Sequence, residues 1–189
     1  MVMAPAISFL HLRQAAQIIH NGGIIAYPTE GVFGLGCDPG CYEAVLRILE
    51  LKERAVAAGL ILIAAERGQL DGWIKPSADE ERALSGADRF VTWVVTADPR
   101  CPDWITGNRP TCAVRITQHP VAAALCREAD LPLVSTSANR HGQTAVTTAL
   151  AVRRLFGQHV DYILPGTLGA ATGPSEIRIA QTGAILRNS

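Results

Sequence analysis

The stretch LILIA at residues 60–64 consists only of apolar residues and follows a glycine. A strand with one face in water alternates apolar and polar side chains, whereas a strand covered on both faces reads as a continuous apolar run. The stretch therefore predicts a sheet strand that is buried on both faces. Just before it, residues 41–52 carry Val45, Ile48 and Leu49 at helical spacing, which predicts an amphipathic helix.

Helices and strands alternate through the first half of the chain, and strands cluster in the second half. Helical spacing predicts further helices at 12–19, 120–129 and 148–156. A capping box formed by Ser77 and Glu80 predicts the start of another short helix. Further strands are predicted at 24–28, 91–96, 112–117, 131–137, 161–165, 175–180 and 184–187. This order indicates an α/β fold with a mixed rather than purely parallel sheet.

The composition predicts a single domain over residues 1–189. The chain is 48% hydrophobic and 18% charged, which is apolar enough for a core. Its 17 basic and 17 acidic residues cancel, which argues against a general polyanion binder. The 5 cysteines lack paired CxxC spacing, which favours reduced thiols over a disulfide or zinc site. The longest uncharged apolar stretch, 55–65, is too short to span a bilayer, so we expect a cytoplasmic protein.

The segment YPTEGVFGLGCDPG at residues 27–40 is rich in glycine and contains no lysine or arginine. Glycines after a strand let the backbone approach a ligand closely. The segment matches neither a P-loop, which needs a Gly-Lys pair, nor a dinucleotide fingerprint, because Pro39 stands where glycine is required. On spacing alone, a ligand-binding loop and an ordinary strand-to-helix turn remain open.

Two cations in the sequence LKER, Lys52 and Arg54, close the predicted second helix. Within a continuing helix they point in different directions, but they turn to one side if the helix ends near Lys52. They then either complement the helix dipole or bind an anion at the mouth of the next strand.

Neutral polar groups are concentrated at the end of the predicted strand at 131–137. Alternation places Ser135 and Ser137 on one face, and Asn139 follows. Arg115 lies inside another predicted strand, where a charge indicates a cleft or a partner. The first group is a dense set of hydrogen-bonding groups for a polar ligand, and an ordinary strand-to-loop turn is the alternative explanation.

Together these segments resemble the YrdC/TsaC family of threonylcarbamoyl-AMP synthases. YPTEGVFGLGCDP, LKER, GLILIAA, AVRIT followed by HP, LVSTSAN and PSEIR occur in the family's order between about residues 22 and 187. The resemblance, to the short single-domain bacterial type, implies a twisted mixed α/β sheet with flanking helices around a deep basic cavity. It implies an enzyme that converts L-threonine, bicarbonate or CO₂ and ATP to threonylcarbamoyl-AMP and pyrophosphate, for threonylcarbamoyladenosine modification of tRNA beside the anticodon.

The resemblance also implies roles for individual residues. The catalytic set is Lys52, Arg54, Ser137 and Asn139. The ATP-binding set adds Thr111 and Arg187 to these residues, and the threonine-binding set is Thr29, Arg115, Ser135 and Ser175. Under this resemblance the glycine-rich segment holds threonine, and Thr29 offers it a hydroxyl.

The implied small molecules and partners are ATP with Mg²⁺, L-threonine, bicarbonate and the tRNA threonylcarbamoyl-transferase complex. No tightly bound metal and no membrane are expected, and direct binding of tRNA is left open. The chain departs from the family pattern at Ala55, where proline is common, at Ala58, where lysine is frequent, and at 87–90, where a Trp-Pro-Gly-Pro turn is typical. Two alternatives remain, an RNA-binding module and a carbamoyl-adenylate-forming relative with another substrate.

Overall fold

The structure is a computed structural model that describes residues 7–86, 90–140 and 143–188. Helices α1 to α6 are Phe9–His20, Tyr42–Leu51, Ala78–Leu84, Asp103–Thr106, Pro120–Ala129 and Ala149–Phe156. Strands β1 to β9 are Ile25–Pro28, Phe33–Gly36, Ile61–Ala64, Val91–Thr96, Thr111–Ile116, Leu133–Ser137, Tyr162–Ile163, Glu176–Ile179 and Ile185–Arg187. Of the departures at 87–90, only Phe90 lies within the described residues.

The strands form one mixed sheet in the order β7-β1-β2-β6-β3-β5-β4-β8-β9. Strand β3 runs parallel to β5 and antiparallel to β6, and β4 runs antiparallel to β5 and parallel to β8. The predicted α/β fold with a mixed sheet is confirmed.

Strand β3 is buried on both faces, as its continuous apolar run predicts. Leu62 and Ala64 belong to a core on the face that α2 and α6 cover. Ile63 belongs to a second core on the opposite face, against α1 and α5. On that second face, α1 and α5 pack mainly against β1 and β3.

Strand β2 is an element that the sequence analysis missed, because it lies inside the segment predicted as a loop. It pairs with β1 in an antiparallel hairpin and with β6 on its other side. Glycine weakens a strand and leaves no apolar pattern to read. Here a bare backbone is required, because a Cβ on Gly36 would lie 2.5 Å from the Val134 carbonyl oxygen and 2.8 Å from the Tyr27 ring.

The ends of the helices follow local sequence signals. Gly22, with φ of +75°, follows α1 and turns the chain into β1. The predicted capping box at the start of α3 is present, with Ser77 and Glu80 each bonding the backbone of the other. Among the helices of the described residues, none has the length and apolar character needed to cross a membrane.

Candidate active site

A cavity of about 620 Å³ lies over the sheet, and Ile105 and Thr106 of α4 also line it. Alternate residues of the strands form its floor, because side chains on one face recur every second position. Thr111, Ala113 and Arg115 come from β5, and Ser135 and Ser137 come from β6. The volume lies within the range of small-molecule binding sites, roughly 300–1,000 Å³.

Every site residue named from the sequence lies in the wall of this cavity. These residues are Thr29, Lys52, Arg54, Thr111, Arg115, Ser135, Ser137, Asn139, Ser175 and Arg187. They come from distant parts of the chain, so only the fold brings them together.

The cations of LKER turn to one side because α2 ends at Leu51. Lys52 is the C-cap, and Glu53 has a left-handed φ of 49°, which reverses the chain. Lys52 Nζ donates to the carbonyl oxygens of Ser137 and Asn139, each at 2.7 Å, and also to Asn139 Oδ1. Burial, followed by the charge of Arg54, lowers the pKa of Lys52 to about 8. Lys52 therefore ties the end of α2 to the end of β6.

Asn139 and Ser137 are ordered by hydrogen bonds within the protein. The Ser137 hydroxyl donates to Asn139 Oδ1 at 2.7 Å, and Asn139 Nδ2 donates to the carbonyl oxygen of Gln143 at 2.6 Å. The Ser137 oxygen remains available as an acceptor. The amide of Asn139 thus links β6, Lys52 and the following loop.

The buried end of the cavity is built around Arg115. Its Nη2 lies 3.3 Å from Glu30 Oε2, and its guanidinium lies 5.6 Å from the Phe90 ring centroid. Burial opposes ionisation of Glu30, but Arg115 and the Thr117 hydroxyl outweigh it and lower the pKa of that carboxyl. Arg115 Nε is buried without a hydrogen-bond partner in the described structure. That donor is available for an anionic group of a ligand.

Three hydroxyl groups accompany Arg115 at this end. Thr29 Oγ1 donates to the Val32 carbonyl oxygen at 2.7 Å, which leaves its lone pairs for a ligand donor. Ser175 Oγ lies 2.7 Å from Thr92 Oγ1, and Ser135 is buried in the floor. This end can bind a small molecule that carries both an anionic group and hydrogen-bonding groups.

Arg187 also lines the cavity. Its Nη2 donates to the Ser175 carbonyl oxygen at 2.7 Å. Burial, then the charges of Arg115 and Arg54, lower the pKa of its guanidinium. Arg187 is therefore close to both Arg115 and Arg54.

Glycines of residues 27–40 lie where other parts of the protein pack too closely for a side chain. A Cβ on Gly31 would lie 2.2 Å from the Gly173 carbonyl oxygen, and Gly36 accommodates Val134 and Tyr27. Gly34 is the one of this group that also lines the cavity. Close packing against other parts of the chain, which the sequence alone does not reveal, explains Gly31 and Gly36.

Sequence reasoning missed Phe90 and Arg109 in the cavity wall. The Phe90 ring packs against the guanidinium of Arg115, and Arg109 donates a hydrogen bond to the Ala58 carbonyl oxygen at 2.7 Å. Arg109 lies in the sequence TGNRPT, where a lone arginine in a turn normally reads as a solvated charge. Only the backbone conformation identifies it as a cavity residue, because Gly107 and Asn108 both have positive φ and turn it towards the cavity.

The cysteines are free thiols, and Cys37, Cys101, Cys112 and Cys126 are buried. Across residues 7–86, 90–140 and 143–188, no three His, Cys, Asp or Glu side chains are grouped so as to hold a metal ion.

Comparisons with known proteins identify the family of the chain. The family model described as Telomere recombination, that of the Sua5, YciO and YrdC proteins, matches residues 17–189. The chain is 52% identical to the threonylcarbamoyl-AMP synthase of Nitrosococcus oceani, over 93% of this chain and 96% of that one. It is 47% identical to the synthase of the same name from Halorhodospira halophila, over 93% of each chain.

Solved structures share the fold. P. abyssi Sua5 complexed with L-threonine is similar with a TM-score of 0.81 and 32% identity, over 88% of this chain. This chain spans only 49% of that longer protein. E. coli YciO is similar with a TM-score of 0.80 and 22% identity, over 94% of this chain and 88% of that one.

Proposed function

The chain belongs to the Sua5/YciO/YrdC family, and from this premise we propose that it is a threonylcarbamoyl-AMP synthase. It converts L-threonine, bicarbonate or CO₂ and ATP to threonylcarbamoyl-AMP and pyrophosphate, within one domain. The observation that carries the proposal is the convergence, in one cavity wall, of a buried polar end around Arg115 with the further cations Lys52, Arg54 and Arg187.

The reaction needs no nucleophile from the protein. The amine of threonine attacks the carbon of CO₂ and loses a proton, which gives a carbamate. The carbamate oxygen attacks the α-phosphorus of ATP, the bond to the β-phosphate oxygen breaks, and pyrophosphate leaves. The work of the protein is to position two substrates and to neutralise charge.

The buried end would hold threonine. Arg115 binds its carboxylate, aided by Glu30, which holds the guanidinium in place from the other side. Thr29, Ser135 and Ser175 offer hydroxyl groups to its remaining polar atoms. The lone pairs of Thr29 suit the ammonium or hydroxyl donors of threonine, because its own proton is already donated to Val32.

The other cations of the cavity wall would hold ATP. Arg54 and Arg187 lie against phosphates, and Thr111 and Ser137 supply hydroxyl groups. Lys52 adds positive charge and also fixes Ser137 and Asn139, because its ammonium bonds both residues. Mg²⁺ enters with ATP as part of the substrate. The described cavity wall contains no carboxylate, so phosphates and water provide its ligands.

The product would serve threonylcarbamoyladenosine modification of tRNA. A threonylcarbamoyl-transferase complex takes the adenylate from this protein and transfers the threonylcarbamoyl group to the adenosine beside the anticodon.

The test is release of pyrophosphate with each substrate omitted in turn. We expect release only when ATP, L-threonine and bicarbonate are all present, with threonylcarbamoyl-AMP detected by mass spectrometry. Equal release without threonine would contradict the proposal. Turnover with carbamoyl phosphate in place of threonine and bicarbonate would favour the carbamoyl-adenylate alternative, and salt-dependent RNA binding without ATP turnover would favour the RNA-binding module.

A further inference from the structure

Two arginines from separate segments converge on one backbone carbonyl at the mouth of the cavity. Arg54 Nη2 donates to the carbonyl oxygens of Ala58, at 3.3 Å, and Gly59, at 2.9 Å. Arg109 Nη2 donates to the same Ala58 oxygen at 2.7 Å, and its Nε donates to the Thr106 oxygen at 3.2 Å. Both side chains line the cavity.

The two guanidinium groups repel each other. Burial, and after it the charge of Arg109, lowers the pKa of Arg54. In the parts of the chain that the structure describes, neither arginine is paired with a carboxylate, since their hydrogen bonds go to backbone oxygens. Two adjacent like charges without a counter-ion are unfavourable, and an anion held between them would relieve the repulsion.

The surrounding backbone holds the pair in place. Gly59, with φ of +66°, leaves room for Arg109, because a Cβ there would lie 2.5 Å from Nη2 of that arginine. A Cβ on Gly107, with φ of +68°, would lie 2.6 Å from the Ala57 oxygen. The Leu60 amide donates to the Ile105 oxygen at 2.9 Å, which joins the two segments. Contacts within the protein therefore hold both arginines in this arrangement.

Free donors remain on both guanidinium groups. Nη1 of Arg109, and Nε and Nη1 of Arg54, have no hydrogen-bond partner among the described residues. A planar guanidinium fork matches the spacing of phosphate oxygens, so the free edges suit a phosphate group.

The chemistry of the reaction indicates which phosphates reach this pair. The α-phosphorus must lie near the carbamate at the buried, Arg115 end, because that is where the new bond forms. The β- and γ-phosphates lie on the opposite side of the α-phosphorus from the carbamate, so we expect them among the other arginines of the wall, Arg187, Arg54 and Arg109. We propose that Arg109 is a substrate-binding residue that acts with Arg54 on the terminal phosphates of ATP and on the pyrophosphate product. This inference rests on the proposed function, because it takes ATP as the substrate.

The test is calorimetric titration of the wild type and its variants with ATP, inorganic pyrophosphate and AMP at fixed ionic strength. Arg109→Ala removes the guanidinium, and Arg109→Lys keeps the charge but not the fork. Arg127→Ala is the control, because it removes an exposed arginine at the end of α5 that is not part of the cavity wall. Melting temperatures establish that each variant is folded.

We expect Arg109→Ala to weaken ATP and pyrophosphate binding about 10- to 100-fold, the effect of one lost charge-assisted hydrogen-bonding group. AMP, which lacks the terminal phosphates, should bind with its affinity changed less than about twofold. Arg109→Lys should lie between the wild type and Arg109→Ala, and Arg127→Ala should match the wild type.

Three results would overturn the inference. If Arg109→Ala binds ATP and pyrophosphate as tightly as Arg127→Ala does, Arg109 is not part of the phosphate site, and the proposed function is unaffected. An equal loss for AMP would show that Arg109 only supports the turn at Ala58. A wild-type protein that binds neither ATP nor pyrophosphate would overturn the proposed function and this inference together.

Discussion

The ammonium group of Lys52 is buried between oxygens at the end of β6, and burial followed by the charge of Arg54 lowers its pKa to about 8. A helix-dipole role alone would be worth only about 0.3–1 kcal/mol and would leave catalysis unaffected. The observed bonds give Lys52 a second role, because they hold Ser137 and Asn139 in the cavity wall. Lys52 also lines the cavity, so under the proposed function its charge would lie close to the phosphates of ATP.

Deprotonation of Lys52 should weaken ATP binding above about pH 8, because the cation is then lost from the phosphate site. We expect the affinity for ATP to fall by about tenfold between about pH 7.5 and 9.5, as one charge-assisted contact is lost. Calorimetric titration with ATP over this range measures the effect. Lys52→Met is the comparison, since its affinity should be low and independent of pH; a wild-type affinity that stays constant would exclude Lys52 from the phosphate site.

The same titration affects stability in the opposite direction. The pKa of Lys52 in the folded protein, about 8, lies below the ordinary value of 10.5. The unfolded chain therefore binds more protons between these two values, and the contribution of Lys52 to the free energy of unfolding rises with pH there. Below about pH 8 the cost of burying the charge is fully present. Loss of ATP affinity above this pH would then reflect the lost charge and not unfolding.

Among the secondary-structure elements, strand β2 is the one that shows why a sequence prediction fails. Strands β3 and β4 and helix α5 could be predicted because apolar runs, β-branched residues and a proline at the start of a helix are local signals. The requirement for Gly36 is not local, because it comes from Val134 on another strand. The wall of the cavity was predictable where a motif marked it, as at Ser137, but not at Arg109, which reaches the cavity only through tertiary packing.

Replacement of Gly36 by alanine should destabilise the protein, because its Cβ would overlap the Val134 oxygen at 2.5 Å. We expect the free energy of unfolding to fall by about 1–3 kcal/mol, the usual cost of overpacking. Gly68→Ala is the matched control, since a Cβ there meets no atom within 4 Å. Its effect should stay within about 0.5 kcal/mol. Urea unfolding measures both, and equal values for the two variants would show that β2 has room for a side chain.

At the scale of the whole molecule, one sheet separates two apolar cores. Cys37 lies in the core that α2 and α6 cover, and Cys126 lies in the core formed with α1 and α5. Burial raises the pKa of both thiols, that of Cys126 to about 12. Each thiol is therefore unreactive until its own core opens, and the two report on opposite faces of the sheet.

Because both cores share the strands of a single sheet, opening either face should require unfolding of the other. We expect Cys37 and Cys126 to become reactive towards a thiol reagent at the same urea concentration, with mass spectrometry of the labelled peptides as the measurement. Cys41 is the internal control, since it is only partly buried and should react without unfolding. Labelling of Cys126 at a lower urea concentration than Cys37 would mean that α1 and α5 open separately. The chain would then contain two folding units instead of the single domain predicted from its sequence.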